Sequence, residues 1–215
     1  MRIEAVVFDC DGVLADTAAC WQLALDDAAS VVGLRLRTAQ REALRGAAVT
    51  SGAHAIAAWT AAADRIPELE RAIHASLMAS LRHGPLEPLA GIPELLATLA
   101  AGGIPLAVAS NAPVAFLDGV LERIGVHHRF TAVVSAETAG RPKPAPDPYR
   151  AACEALGADP ARSVAVEDSE VGVRSARAAG LGVIGIGPDL RPDHPALLVH
   201  ARSAADPRIA ALLLQ

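Results

Sequence analysis

The stretch EAVVFDCDGV, residues 4–13, runs through apolar residues and ends on Asp9, Asp11 and Gly12. A short apolar run rich in valine and closed by polar residues suits a strand buried on both faces, as strands of parallel sheets are. Two acids at i and i+2 of an extended segment point the same way, and the glycine lets the chain turn directly after them. The run therefore delivers two carboxylates to the end of a buried strand.

Four more runs of this kind follow: IPLAVAS (104–110), TAVVS (131–135), SVAVED (163–168) and GVIGIG (182–187). Between them lie helical patterns at 93–103, 113–125, 146–157 and 170–180. Several of these end in glycine, and two open on proline, the usual punctuation of helix termini. Strand and helix in alternation predict an α/β fold, a doubly wound parallel sheet whose ligands gather at the carboxyl ends of the strands near the topological switch point. From about Ala18 to Arg82 the alternation breaks, and only helical patterns occur, among them 21–33 and 67–84. This reads as an all-helical cap inserted after the first strand. The expected division is a core of residues 1–15 and 84–215 and a cap of residues 16–83, with hinges near Ala15–Thr17 and Gly84–Pro88. Trp21 and Trp59 are expected to fill the small core of the cap.

Composition narrows the function. The chain has 215 residues, 52% hydrophobic but only 3% aromatic, so its core is built from Ala, Val, Leu and Ile. A formal net charge of −5 without a basic stripe argues against nucleic acid and anionic membranes as partners and for a small ligand. The N-terminus lacks the pattern of a signal peptide, and no run approaches the ~18 apolar residues of a membrane span, so a cytoplasmic location is expected. Cys10, Cys20 and Cys153 form no C-x-x-C pair and are expected to be reduced thiols.

The chemistry follows from what ends each strand. The first run supplies Asp9 and Asp11, the second Ser110 and Asn111, and the fourth Glu167 and Asp168; Lys143 lies in the loop after the third. Carboxylates gathered with so little compensating charge are costly to bury unless a divalent cation joins them, and an all-oxygen donor set suits Mg²⁺. Mg²⁺, a lysine and a serine around such a cluster form a setting for a phosphoryl group, with one carboxylate positioned to attack phosphorus.

Lys143, in GRPKPAPDPY (140–149), is the only lysine beside eighteen arginines. A compact ammonium can sit between a phosphate oxygen and a carboxylate where a wide planar guanidinium cannot, which accounts for a lysine kept at this position. Pro142 and Pro144 restrict the loop that aims it.

DCDGV (9–13), Ser110-Asn111, Lys143 and VEDSEVGVRSARAAG (166–180) resemble the four ordered motifs of the haloacid dehalogenase superfamily, in particular its phosphatase and phosphomutase branch with a small helical cap. The resemblance implies a Mg²⁺-dependent phosphatase acting on a small phosphorylated metabolite, a sugar phosphate or a phosphoglycolate-like compound. It implies Asp9 as nucleophile and metal ligand, and Asp11 as general acid and base with its carbonyl on the metal. Ser110, Asn111 and Lys143 would be phosphate contacts, Asp168 a metal ligand, and Glu167 a metal ligand directly or through water. Arg45 and His54 are the cap residues expected to touch substrate. A monomer or weak homodimer is expected.

Asp11 argues against the dehalogenase branch, and a cap without lysine against the phosphonatase branch. A phosphohexomutase of the beta-phosphoglucomutase type is the main alternative; that branch carries K-G-V-S-R in its cap and a histidine after the first hinge, where this chain has Arg45-Gly46-Ala47-Ala48-Val49 and Trp21. The remaining alternative is an inactive metabolite-binding regulator. GLGVIG (180–185) matches the dinucleotide fingerprint but follows a helix and precedes a strand, the reverse of the required context.

Overall fold

The computed structural model describes residues 3–83 and 86–214. In chain order the elements are β1 (Ala5–Phe8), α1 (Ala18–Val31), α2 (Thr38–Ala43), α3 (Val49–Thr60), α4 (Ile66–Ser80), α5 (Ile92–Ala101), β2 (Leu106–Ser110), α6 (Val114–Arg123), β3 (Ala132–Ser135), α7 (Ala136–Ala139), α8 (Asp147–Leu156), β4 (Ser163–Glu167), α9 (Glu170–Ala179), β5 (Gly182–Ile186), β6 (Val199–Ala201) and α10 (Pro207–Leu213). The five strands expected from the sequence are all present; β6 and α10 are additional.

The six strands form one sheet in the order β3-β2-β1-β4-β5-β6, with every neighbouring pair parallel. Period-two alternation sends Val6 and Phe8 of β1 to one face and Val7 to the other. The first face is covered by apolar residues of α5, α6 and α10, such as Leu99, Phe116 and Ile209, and the second by those of α8 and α9, such as Ala152, Cys153 and Ala176. Alanine is common on the second face, as at Ala107, Ala109, Ala152, Ala165 and Ala176, while the first is filled by larger side chains. Because β1 lies between β2 and β4, the residues that follow these three strands meet at one end of the sheet, at the switch point of the topology.

Residues 18–80 contain helices and one 3₁₀ turn but no strand. α1 and α3 both pack on α4, with Ala28, Ile56, Leu69 and Ile73 fully buried among them. The two chain segments that lead into and out of this helical insert touch each other. Ala15 makes an antiparallel bridge with Pro88, and the Leu89 N–H donates to the Leu14 carbonyl at 2.9 Å. The expected hinge at Gly84 lies outside the described residues. The tryptophans do not fill the insert's core. Trp59 is 38% exposed, and Trp21 is half-buried against Phe116 of α6, ring centroids 6.3 Å apart and nearly perpendicular.

Candidate active site

The expected site residues come together because the chain ends three adjacent strands on polar side chains. Asp9 follows β1, Ser110 ends β2 with Asn111 after it, and Glu167 ends β4 with Asp168 after it. Asp9, Asp11, Ser110, Asn111, Lys143, Asp168 and Arg45 line one cleft of about 480 Å³ between the sheet and the helical insert. Glu167 lies beneath its floor with no exposed surface. His54 is the exception: it sits on the exposed side of α3 and does not line the cleft, because the face of α3 turned inward carries Gly52, Ala53, Ile56 and Ala57.

Lys143 is the centre of the buried charge. Its Nζ donates to Asp9 Oδ1 at 2.7 Å and to Glu167 Oε1 at 2.6 Å, and lies 4.8 Å from the centre of the Tyr149 ring. Burial pulls the ammonium toward neutrality, but the carboxylates of Asp9 and Glu167 outweigh it and hold the pKa above the ordinary lysine value. Tyr149, fully buried in the first turn of α8, donates its hydroxyl to the same Glu167 oxygen at 2.6 Å. Its own pKa is pushed well up, chiefly by burial, so it remains a neutral donor. The other Glu167 oxygen accepts from the Asp168 N–H at 3.2 Å, the Ser169 N–H at 3.4 Å and the Ser169 hydroxyl at 3.1 Å. Ser169 in turn caps α9 by accepting from the Gly172 N–H.

Two glycines make room for this arrangement. A Cβ on Gly172 would fall 1.8 Å from Glu167 Oε1, and one on Gly12, whose φ is +78°, would fall 2.1 Å from Asp168 Oδ2.

Asp11 faces the insert. One of its oxygens accepts a short bond from the Thr17 hydroxyl, the other accepts from the Ser110 hydroxyl at 3.4 Å, and Trp21 is a further hydrogen-bond partner. Burial raises its carboxyl above the ordinary range, and the bond from Thr17 only partly offsets this. Asp9 is raised further, by burial first, against the pull of Lys143. Asp168 rises to about 7, through burial and then the charge of Glu167. Cys10, between the two acids in sequence, is a buried thiol pushed up by burial and so unreactive.

Asn111 is expected among the phosphate contacts through the backbone N–H groups around it, and its side chain has a separate use. Its amide is bonded to backbone, accepting from the Lys143 N–H at 2.8 Å and donating to the carbonyls of Gly46 at 2.7 Å and Lys143 at 3.3 Å. Arg45 reaches the cleft but pairs with Asp189 at 2.5 Å, and the neighbouring Arg41 pairs with Asp26 at 2.5 Å.

The donor set fits a hard divalent cation. Asp9, Glu167 and Asp168 offer carboxylate oxygens that all lie within 4.8 Å of one another, and Asp11 adds a fourth acid beside them. Lys143 is the one ammonium among these acids, and Asp9 and Asp168 are raised by burial first and by the neighbouring carboxylates after it.

Parallel sheet, inserted helices and acids at the strand ends define a class, and comparison with known proteins gives the same class. Residues 3–180 match the haloacid dehalogenase-like hydrolase family, and the chain belongs to that family. It is similar to N-acetylmuramic acid 6-phosphate phosphatase of Pseudomonas aeruginosa, 32% identical across 93% of this chain and 94% of that protein. It is also similar to beta-phosphoglucomutase of Bacillus subtilis, 29% identical across 86% and 84% of the two chains. Among solved structures, CbbY from Rhodobacter sphaeroides, crystallised with phosphate, superposes with a TM-score of 0.82 at 28% identity, covering 95% of this chain and 96% of that one. The chain is an enzyme of the phosphatase group within this family. No helix among the described residues is long and apolar enough to cross a membrane.

Proposed function

We propose that the chain is a Mg²⁺-dependent phosphatase of small sugar phosphates, working through an aspartyl-phosphate on Asp9. The observation that carries the reading is the contact of Asp9 with a buried lysine at the base of a cleft whose other wall holds a carboxyl raised by burial, that of Asp11. Residues 16–83 act as the cap that closes over the substrate and excludes water.

In the first step an Asp9 carboxylate oxygen bonds to phosphorus as the bond to the ester oxygen breaks. Asp11, whose carboxyl burial shifts toward the neutral form, acts as the acid that gives a proton to that departing oxygen. In the second step the Asp11 carboxylate takes a proton from water, the water oxygen bonds to phosphorus, and the Asp9–phosphorus bond breaks to release inorganic phosphate. Lys143 and the Ser110 hydroxyl hold the phosphoryl oxygens, joined by backbone N–H groups around Cys10, Asp11 and Asn111. Mg²⁺, held by Asp9, Asp168 and the Asp11 carbonyl, with Glu167 directly or through water, would supply further positive charge against the phosphoryl oxygens.

The relative named as a beta-phosphoglucomutase favours a second reading, phosphoryl transfer between two positions of one sugar. That reaction needs groups in the cap for a second phosphate, and this chain lacks the arginine of the K-G-V-S-R segment and has Trp21 in place of the histidine. Hydrolysis is therefore the conclusion. A panel of phosphomonoesters that includes N-acetylmuramic acid 6-phosphate, fructose 1-phosphate and glucose 1-phosphate tests it, assayed for phosphate release with Mg²⁺ and with EDTA. The expected result is Mg²⁺-dependent release that Asp9→Asn abolishes. Conversion of glucose 1-phosphate to glucose 6-phosphate without phosphate release would favour the mutase instead.

A further inference from the structure

One small amide joins three parts of the cleft. Asn111 is 7% exposed and follows the last residue of β2. Its oxygen takes the Lys143 N–H, one amide hydrogen goes toward the Lys143 carbonyl, and the other reaches across to Gly46, in the loop between α2 and α3 of the helical insert. An asparagine side chain has two N–H donors and one carbonyl, and here the two donors are divided between a segment of the core and a segment of the insert.

Other contacts cross the same boundary, among them Trp21 with Asp11 and Phe116 and Arg123 with the Leu81 carbonyl, and two of them are exposed side-chain pairs poorly placed to report closure. The Arg45–Asp189 pair has side chains 60% and 46% exposed, so it is screened and contributes little. His74 and Glu137 approach to 3.5 Å with both side chains more than 40% exposed. The bond from Asn111 to Gly46 is better shielded and is made to a backbone carbonyl, whose position follows the loop itself.

We propose that Asn111 is a positioning residue that couples closure of the helical insert to the placement of Lys143; the inference rests on the phosphatase reading of the cleft. The terminal torsion of an asparagine is soft, so an amide bonded on one side only can rotate. When the insert seats, the Gly46 carbonyl fixes that rotation, and the fixed amide holds the peptide N–H and C=O of Lys143. The ammonium of that residue lies 2.7 Å from Asp9, so backbone drift is passed to the atom that must meet the phosphoryl group. Substrates whose sugar draws the 44–48 loop inward thereby set the lysine in place. Phosphate esters that do not engage the insert react with the lysine less firmly held.

Asn111→Ala and Asn111→Asp, each assayed on N-acetylmuramic acid 6-phosphate and on p-nitrophenyl phosphate, test this. The Asp variant keeps an acceptor for the Lys143 N–H but turns a carboxylate toward the Gly46 carbonyl, so it breaks the coupling while keeping the site filled. For the sugar phosphate, kcat should fall roughly 10- to 100-fold, the scale of a misplacement of about 1 Å, with KM little changed. For p-nitrophenyl phosphate both variants should lose less than they do for the sugar phosphate, and the ratio of the two losses, not the basal rate, reports the coupling. Equal losses on both esters would overturn the coupling and make Asn111 a phosphate contact or a scaffold residue; so would no loss on either. Wild-type protein inert toward both would instead remove the phosphatase reading beneath it.

Discussion

Replacing Lys143 by arginine keeps the charge and changes only its shape, which makes it the sharpest test of why one lysine survives in an arginine-rich chain. The ammonium is held between oxygens at 2.7 and 2.6 Å, with the Tyr149 hydroxyl at 3.3 Å, and the residue is only 6% exposed. A guanidinium carries five N–H donors in a rigid fork, more than this pocket can satisfy. Each N–H left buried without an acceptor costs about 1–3 kcal/mol, and overfilling a packed site costs about 1–3 kcal/mol more. A total of about 2–6 kcal/mol divides between folding and catalysis. Since about 1.4 kcal/mol at the transition state is tenfold in rate, turnover should fall at least tenfold. With about 1.4 kcal/mol taken at the transition state, about 0.6–4.6 kcal/mol is left for folding, so the melting temperature should fall by roughly 1–18 °C, at about 2–4 °C per kcal/mol for a chain of this size. Steady-state phosphate release and thermal denaturation measure both. A variant with turnover within about a factor of two of wild type and an unchanged melting temperature would refute the shape argument on which the role of Lys143 rests.

Other perturbations follow from the same packing. Gly172→Ala places a methyl group where the Glu167 carboxylate sits, so the variant should lose about 1–3 kcal/mol in urea denaturation, and a loss under about 0.5 kcal/mol would contradict the packing. Tyr149→Phe removes the hydroxyl bonded to Glu167 but keeps the ring, and should cost about 1–2 kcal/mol by the same measurement; an equally stable variant would show that the bond contributes nothing. Asp168 titrates near 7 in the fold and near 4 unfolded, so between those pH values the native state binds the extra proton. Its contribution to stability therefore declines as pH rises from about 4 to about 7 and is constant above. In EDTA, Asp168→Asn should gain in melting temperature relative to wild type on going from pH 5 to pH 8; a difference that does not change with pH would contradict the assignment.

The sheet was legible because each strand is a short apolar run that ends on a polar residue, and that rule gathered Asp9, Ser110, Glu167 and Asp168 at one edge before any coordinates. β6 escaped it, being only three residues long, Val199–Ala201, with His200 at its centre. The residues misjudged were those whose setting depends on how the helical insert sits on the sheet. Trp21 shares its helix with core residues such as Ala24 and Leu25, yet its place beside Asp11 and Phe116 is decided by packing across the cleft. His54 stands among small residues of α3, and helical phase turns it outward. The side-chain bonds of Asn111 to Gly46 and Lys143 likewise depend on the approach of those two segments and leave no mark in the sequence. Tyr149 was within reach of the sequence, six residues after Lys143 in the first turn of a helix that opens on Asp147-Pro148.

The central claim is that Asp9 becomes covalently phosphorylated. Rapid acid quench of a single turnover, with a radiolabelled phosphoryl group on the best substrate of the panel and Mg²⁺ present, followed by peptide mapping, tests it directly. The account predicts transient label on the peptide that contains Asp9 and none in Asp9→Asn. Full turnover without label on that peptide, or an active Asp9→Asn enzyme, would contradict it.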